Sequence, residues 1–269
     1  MSFQNMMKEK KGMKNTKKIV AILLALLLCA ALCACGKSAG AGLKTVESGK
    51  LHMSTNAAFP PYEMTTDNGG FEGIDVEIAG AIAKKLNLEL VVDDMGFDAA
   101  LLAVQNGQSD IVMAGVSVTE DRQKVMEFSD SYATGVQVII VKEGSPIATA
   151  DDLGSAAMIG TQKATTGYIY CSDDYGEDHV TAYDTGAVAI QALLNDQVDC
   201  VVIDNMPAQE YVKANPGLKI LDTEYVVEDY AIGFAKGNTA LVDAVNNALK
   251  ELKADGTVQK ILDKYISAN

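Results

Sequence analysis

The chain has 269 residues, 48% of them apolar, and a formal charge of −14 from 22 basic and 36 acidic residues. The length suits one large domain or two lobes of ordinary size, and the composition excludes collagen-like and disordered classes. An acidic surface repels phosphate backbones and argues against nucleic-acid binding.

The charge is unevenly placed. Residues 1–34 hold six Lys and one Glu, a net of +5, which leaves 16 basic and 35 acidic residues, a net of −19, on the remainder. Ile19 to Ala34 is an uncharged run of 16 residues, shorter than the ~20 a spanning helix needs. A basic stretch, an apolar run and a small-residue end give residues 1–34 the layout expected of a secretory signal, the alternative being a permanent membrane anchor. Leu32-Cys33-Ala34-Cys35-Gly36 resembles a bacterial lipoprotein signal, in which Cys35 is lipidated and becomes the mature N-terminus. Residues 35–49 then read as a tether, flexible through the Gly-rich GKSAGAG. Cys171 and Cys200 are left either to pair or to lie buried as thiols. His52 and His179 are far apart, and no cluster has metal-ligand spacing.

From residue 50 strand and helix signals alternate, which predicts an α/β sheet. Leu51 to Thr55 alternates apolar and polar residues. Ile74, Ile78, Ile82 and Leu86 recur at every fourth position, giving a helix that Asp75 can cap and that ends near Asn87. Glu89 to Val92 is the next strand, Asp98 to Gln105 the next helix, and Asp110 to Ala114 a buried strand. Residues 100–115 (ALLAVQNGQSDIVMAG) and 189–204 (AIQALLNDQVDCVVID) echo one another as helix, polar turn and strand. Gly115 and Asp204 close the two copies. Ligands of open α/β sheets sit outside the carboxyl ends of strands, so both residues are candidates for one site.

Thr119 is a good N-cap and puts Arg122 in the first turn of its helix. Arg122 is the only Arg among the 22 basic residues. Its planar fork suits a carboxylate, although pairing with Glu120 or Asp121 at the surface is the simpler alternative. In QKATTG, Thr165 or Thr166 can cap a helix whose free amides receive an anion. Asp204 is either a ligand for a cation or the N-cap of a helix that Pro207 helps to start. GxSxG and GxxxxGK[ST] are absent, and no nucleophile–base pair is evident.

FPPYE (59–63), GIDVEIAGAIAKKL (73–86), SVTEDR (117–122), MEFSDSY (126–132), QKATTG (162–167), VDCVVID (198–204) and NNALKELKADGTVQKILDKY (246–265) occur in this order. With this set the chain resembles the polar amino-acid family of bacterial solute-binding proteins that serve ABC importers. It departs from that pattern at Glu77, where Asp is common, and at Ala164, where Gly is common. The resemblance implies an α/β fold of the two-lobed periplasmic-binding type (type II). Its two crossing strands fall near Gln137–Lys142 and Val226–Gly233. Residues 50–139 with 230–269 would form one lobe and residues 140–229 the other.

It further implies that a ligand α-carboxylate meets Arg122 and the amides of Ser117 and Thr166. The ammonium would meet Asp204, the Ser117 hydroxyl and the Gly115 carbonyl. Phe59 and Phe97 would flank the ligand side chain, Asn56 and Gln162 its far end, with Thr165 at the helix start. The expected protein is a monomeric, lipid-anchored, extracytoplasmic receptor without cofactor. It would pass a free amino acid, preferably neutral and polar, to a membrane permease. The alternatives are a sensing module and a dehydratase-like enzyme on the same fold, for which Glu63 and Lys163 are the extra candidates.

Overall fold

The structure, a computed structural model, describes residues 42–155 and 158–266. The expected signal and Cys35 lie outside the described residues. In chain order β1 (Lys50–Thr55), β2 (Ala58–Phe59), β3 (Glu63–Thr65) and β4 (Phe71–Glu72) lead into α1 (Ile74–Leu86). Then come β5 (Glu89–Asp94), α2 (Phe97–Gln105), β6 (Ile111–Val112), α3 (Glu120–Val125) and β7 (Met126–Phe128). The chain continues as β8 (Ala133–Lys142), β9 (Ile159–Gln162), α4 (Thr166–Tyr175), β10 (Val180–Tyr183) and α5 (Gly186–Leu194). It ends with β11 (Cys200–Asp204), α6 (Asn205–Ala214), β12 (Leu218–Tyr230), β13 (Gly233–Ala235), α7 (Thr239–Ala254) and α8 (Thr257–Tyr265).

Two five-stranded sheets result, in the orders β5-β1-β6-β13-β7 and β10-β9-β11-β8-β12. Each has a parallel centre, β1 between β5 and β6 and β9 between β10 and β11, extended by antiparallel strands. The chain passes between the sheets twice, at 129–132 and at 231–232. These two passages are bonded together: Ser129 N–H donates to the Ile232 carbonyl at 2.9 Å, and Ile232 N–H to Ser129 Oγ at 3.0 Å. β8 belongs to the second sheet along its whole length, so the boundary expected at 139/140 cuts a strand rather than the passage between sheets. Leu43 packs on the first core and Val46 N–H donates to Asp110 Oδ1 at 2.7 Å, so the segment expected as a tether is attached by its last residues.

The apolar stripe of α1 is core: Ile74, Ile78, Ile82 and Leu86 are buried together with Leu51 and Met53 of β1 and with Leu241, Val245 and Leu249 of α7. Asn87 ends α1 in the left-handed conformation, φ 57°. Its N-cap is Gly73 and not Asp75. A Cβ at Gly73 would lie 2.2 Å from the Tyr62 carbonyl oxygen, so the helix starts where the chain grazes the turn before β3, and Asp75 points inward. The second sheet buries Val201 and Ile203 on one face and Cys200 and Val202 on the other. Cys171 and Cys200 are free, buried thiols. Burial pushes the Cys171 thiol up to about 12 and makes it unreactive.

The internal echo has a structural cause. Asp110 accepts the backbone N–H of His52 at 2.8 Å, and Asp199 accepts that of Met158 at 2.7 Å. Each carboxylate ties the turn after a helix to the neighbouring parallel strand, so the same residue types recur at the same step of both units. Among the described residues no helix is long and apolar enough to cross a membrane.

Candidate functional site

The carboxyl ends of the two central strands face one cavity, which encloses about 460 Å³ of empty space, mouth included. After β6 the chain turns at Gly115, φ +55°. A Cβ there would lie 2.9 Å from a Phe59 ring carbon and 3.1 Å from one of Tyr230, so this turn between two rings requires glycine. Thr119 caps α3, its hydroxyl accepting the Arg122 N–H at 3.2 Å. That cap turns the Arg122 side chain inward rather than to the surface: the residue is 8% exposed. Arg122 Nη1 donates to the Ser117 carbonyl at 2.9 Å and Nη2 to the Ala164 carbonyl at 3.1 Å. Its Cζ lies 5.5 Å from the centre of the Phe97 ring. Phe97 is thus both core and cavity wall. Asp121 pairs with Lys124 instead of Arg122. Burial lowers the Arg122 pKa, which the charge of Glu228 partly opposes, and among the described residues no carboxylate forms an ion pair with the guanidinium.

β11 delivers Asp204 from the other sheet, 1% exposed. It stands at the N-cap position of α6 but makes no side-chain cap. Oδ2 accepts the Tyr230 hydroxyl and, at 3.4 Å, the Gln137 amide. Oδ1 is buried without a partner. Burial pushes this carboxyl up to about 7, against the Tyr230 hydroxyl, which favours the charged form. Of the two roles open to Asp204, the cap is unused and the charge is left facing the cavity.

Thr165 caps α4, accepting the Tyr168 N–H at 3.3 Å. Thr166, the first residue of α4, donates its hydroxyl to Glu228 Oε2 at 2.7 Å and lies 3.4 Å from Ser117 Oγ. Gln162 donates to Asn56 Oδ1 at 2.9 Å, and Tyr211 donates to the Ala58 carbonyl at 3.2 Å. With Arg122 to Ala164, these contacts span from the first sheet's residues to the second's. Ala164 has φ 60°, the left-handed region that favours glycine, and its carbonyl is the acceptor of that bridge.

All ten residues expected around a ligand line this cavity. Tyr230, Gln137 and Glu63 line it too. Tyr230 and Gln137 escaped the sequence reading because they sit inside long strands whose side-chain direction is set by pairing. The aromatic run at 59–62 is the nearest signal to Tyr230, since Tyr62 meets it edge to face at 5.3 Å. Lys163 is drawn away, to Asp184 at 2.9 Å and Asp98 at 3.4 Å, and does not line the cavity. A buried, unpaired guanidinium and a buried, unpaired carboxylate oxygen on one cavity are a seat for a small zwitterion.

The sequence profile of the bacterial extracellular solute-binding proteins, family 3, matches residues 51–268. The chain is 32% identical over 259 residues to the probable histidine-binding protein of Neisseria gonorrhoeae, covering 94% of this chain and 97% of that one. A solved structure of an ancestral arginine-binding protein bound to arginine superposes with a TM-score of 0.77 at 39% identity, covering 81% of this chain and 99% of that one. A second ancestral arginine-binding protein structure, bound to glutamine, gives 0.76 at 37% identity and covers 82% and 100%.

Proposed function

The chain belongs to the bacterial extracellular solute-binding proteins, family 3, and from that premise we propose that it captures a free polar amino acid for an ABC importer. The observation that carries this reading is the pair of orphan charges, Arg122 from the first sheet's side and Asp204 from the second's, on one cavity. The α-carboxylate takes the Arg122 fork with the amides of Ser117 and Thr166. The ammonium takes Asp204 Oδ1, the Ser117 hydroxyl and the Gly115 carbonyl. Phe59 and Phe97 sandwich the side chain, and Asn56 and Gln162 meet its end beside Thr165. Two amides offer donors and acceptors without charge, which favours a neutral polar side chain. Affinity for contacts on both sheets drives closure, with the passages at 129–132 and 231–232 as hinge, the first sheet in one lobe and the second in the other. No bond is made or broken, and Lys163, held by Asp184 and Asp98, offers no catalytic partner.

A thermal-shift screen of the whole set of protein amino acids tests this, because a ligand of the native state raises its apparent stability. The largest shift is expected from a neutral polar amino acid, recovered unchanged after incubation. Shifts from Arg, Lys or His alone would overturn the side-chain preference. No shift from any amino acid would overturn the function.

The same proposal makes the protein a monomer outside the cytoplasm, held at the membrane by a lipid on Cys35 after loss of residues 1–34, and read there by a permease. Cys35→Ala is expected to release it from the membrane fraction. Membrane-bound protein whose residue 35 is unmodified by mass spectrometry would refute the anchor.

A further inference from the structure

Two carboxylates line the cavity, Asp204 and Glu63, and the reading above gives Glu63 no task. Glu63 is fully buried in β3, and neither of its oxygens has a hydrogen-bond partner. Beside it is Asp75, in the first turn of α1 and also fully buried. The backbone puts them together: Asp75 N–H donates to the Tyr62 carbonyl at 2.9 Å and Ile74 N–H to the Pro61 carbonyl at 3.1 Å. Asp75 Oδ2 accepts the Gly115 N–H at 2.9 Å, while Oδ1 is left without a partner. The buried hydroxyl of Tyr132 faces Asp75 in the same cluster.

Glu63 faces Asp75, Asp94 at the end of β5, the phenols of Tyr62 and Tyr132, and that of Tyr211 on α6. None of these is a cation. Two adjacent carboxylates without a cation cannot both be charged in a dry interior. Three orphan carboxylate oxygens, all acceptors, are what remains when the one proton they share is left out of account. Asp75 already spends Oδ2 on a backbone N–H, which favours its charged form, so the proton belongs on Glu63. Burial and the charge of Asp75 push Glu63 the same way, well above the usual carboxylate range. Asp75 rises only to about 6, restrained by the Gly115 N–H and the Tyr132 hydroxyl.

We infer that Glu63 is a positioning residue held as a neutral acid, whose O–H donates a hydrogen bond to Asp75 and through Asp75 fixes the Gly115 turn at the ligand cavity. The inference deepens the proposed function, since it rests on Gly115 as a ligand contact. Its premise, the neutral acid, is read without any ligand. Folded Glu63 and Asp75 both hold protons more tightly than unfolded carboxyls, so their contribution to stability is greatest at low pH. It is lost as pH rises, through about 6 for Asp75 and higher for Glu63. Glu63→Gln keeps the donor and cannot ionise. Glu63→Ala removes it.

The test uses the whole chain. At pH 7, wild-type minus Glu63→Gln infrared spectra are expected to contain the C=O stretch of one protonated carboxyl, which fades as pH is raised. Exchange of the Gly115 amide is expected to speed up roughly tenfold in Glu63→Ala, the result of leaving Asp75 without its donor, and to stay near wild type in Glu63→Gln. With L-glutamine and L-arginine as probes at neutral pH, Glu63→Ala is expected to weaken binding of both more than Glu63→Gln does, and Glu63→Gln to change the two alike. At alkaline pH the probe's own ammonium also loses its proton, so the informative quantity is the wild-type loss beyond that of Glu63→Gln. No protonated-carboxyl signal at pH 7, or a loss of L-arginine alone in Glu63→Gln, would overturn the inference, the latter by making Glu63 an ionised partner of a cationic side chain. If neither amino acid binds while the infrared and exchange results are as expected, the positioning role stands and the functional reading fails.

Discussion

Arg122→Ala is expected to weaken ligand capture severely while leaving the fold intact. The guanidinium is 8% exposed and its protein partners are two carbonyls, Ser117 and Ala164. Removing one member of a buried charge pair costs about 2–5 kcal/mol, because the other charge is left unpaired. At ~1.4 kcal/mol per tenfold, affinity is expected to fall roughly thirty-fold to several-thousand-fold. Arg122→Lys retains the charge but not the fork, so it loses the bidentate contact and at least one of the two carbonyl bridges. Its affinity is expected between wild type and Arg122→Ala. Calorimetric titration with the best amino acid of the screen decides this, with circular dichroism as the check on folding. Wild-type affinity in folded Arg122→Ala would remove the zwitterion site and with it the functional proposal.

The second large effect belongs to Asp204→Asn, and it separates binding from stability. Asn has the size of Asp but brings no charge to the ammonium, so a loss of about 2–5 kcal/mol in binding is again expected. The pH dependence gives a sharper signature. In the empty cavity burial lifts this carboxyl from 3.8 to about 7. The bound ammonium favours the ionised form and draws the value back down. Binding therefore releases a proton near neutral pH, and affinity falls as pH drops below about 7, by up to tenfold per unit for one group. The unliganded protein has the opposite slope. A carboxyl raised by folding contributes stability that is fully present below its unfolded value of 3.8 and lost as pH rises through about 7. In Asp204→Asn both slopes are expected to flatten in the range this group controls. Measuring the binding enthalpy in buffers of different ionisation enthalpy checks the proton release. A buffer-independent enthalpy at pH 6, with wild-type pH dependence in Asp204→Asn, would show that Asp204 does not meet the ligand. The opposed slopes have one cause: the charge that binds the ligand is costly to bury before the ligand arrives.

The sequence by itself determined the parts that depend on neighbours a few residues away. The α1 stripe, the Asn87 stop, the Thr119 and Thr165 caps and the strand end at Asp204 all follow from spacing within one turn or one strand, and the structure has them, whereas the strand expected at Asp110–Ala114 is Ile111–Val112 and Gly115 lies in the turn after it. The motif order carried the family and the two-lobed architecture. Tertiary structure decided which alternative each ambiguous residue took. Arg122 turned inward rather than to Glu120 or Asp121, Asp204 left its cap unused, and Asp75 gave up the helix cap to hold Gly115. These outcomes rest on partners far away in sequence: Gln162 reaches Asn56 across 106 residues, Asp75 reaches Gly115 across 40, and Tyr230 reaches Asp204 across 26. Glu63 was legible as the acid of the motif FPPYE, but its role was not, because a proton shared with Asp75 exists only once folding has buried both carboxyls. Periodicity and capping are local and survive in a single chain, whereas burial, and the charge states that follow from it, are properties of the folded packing alone.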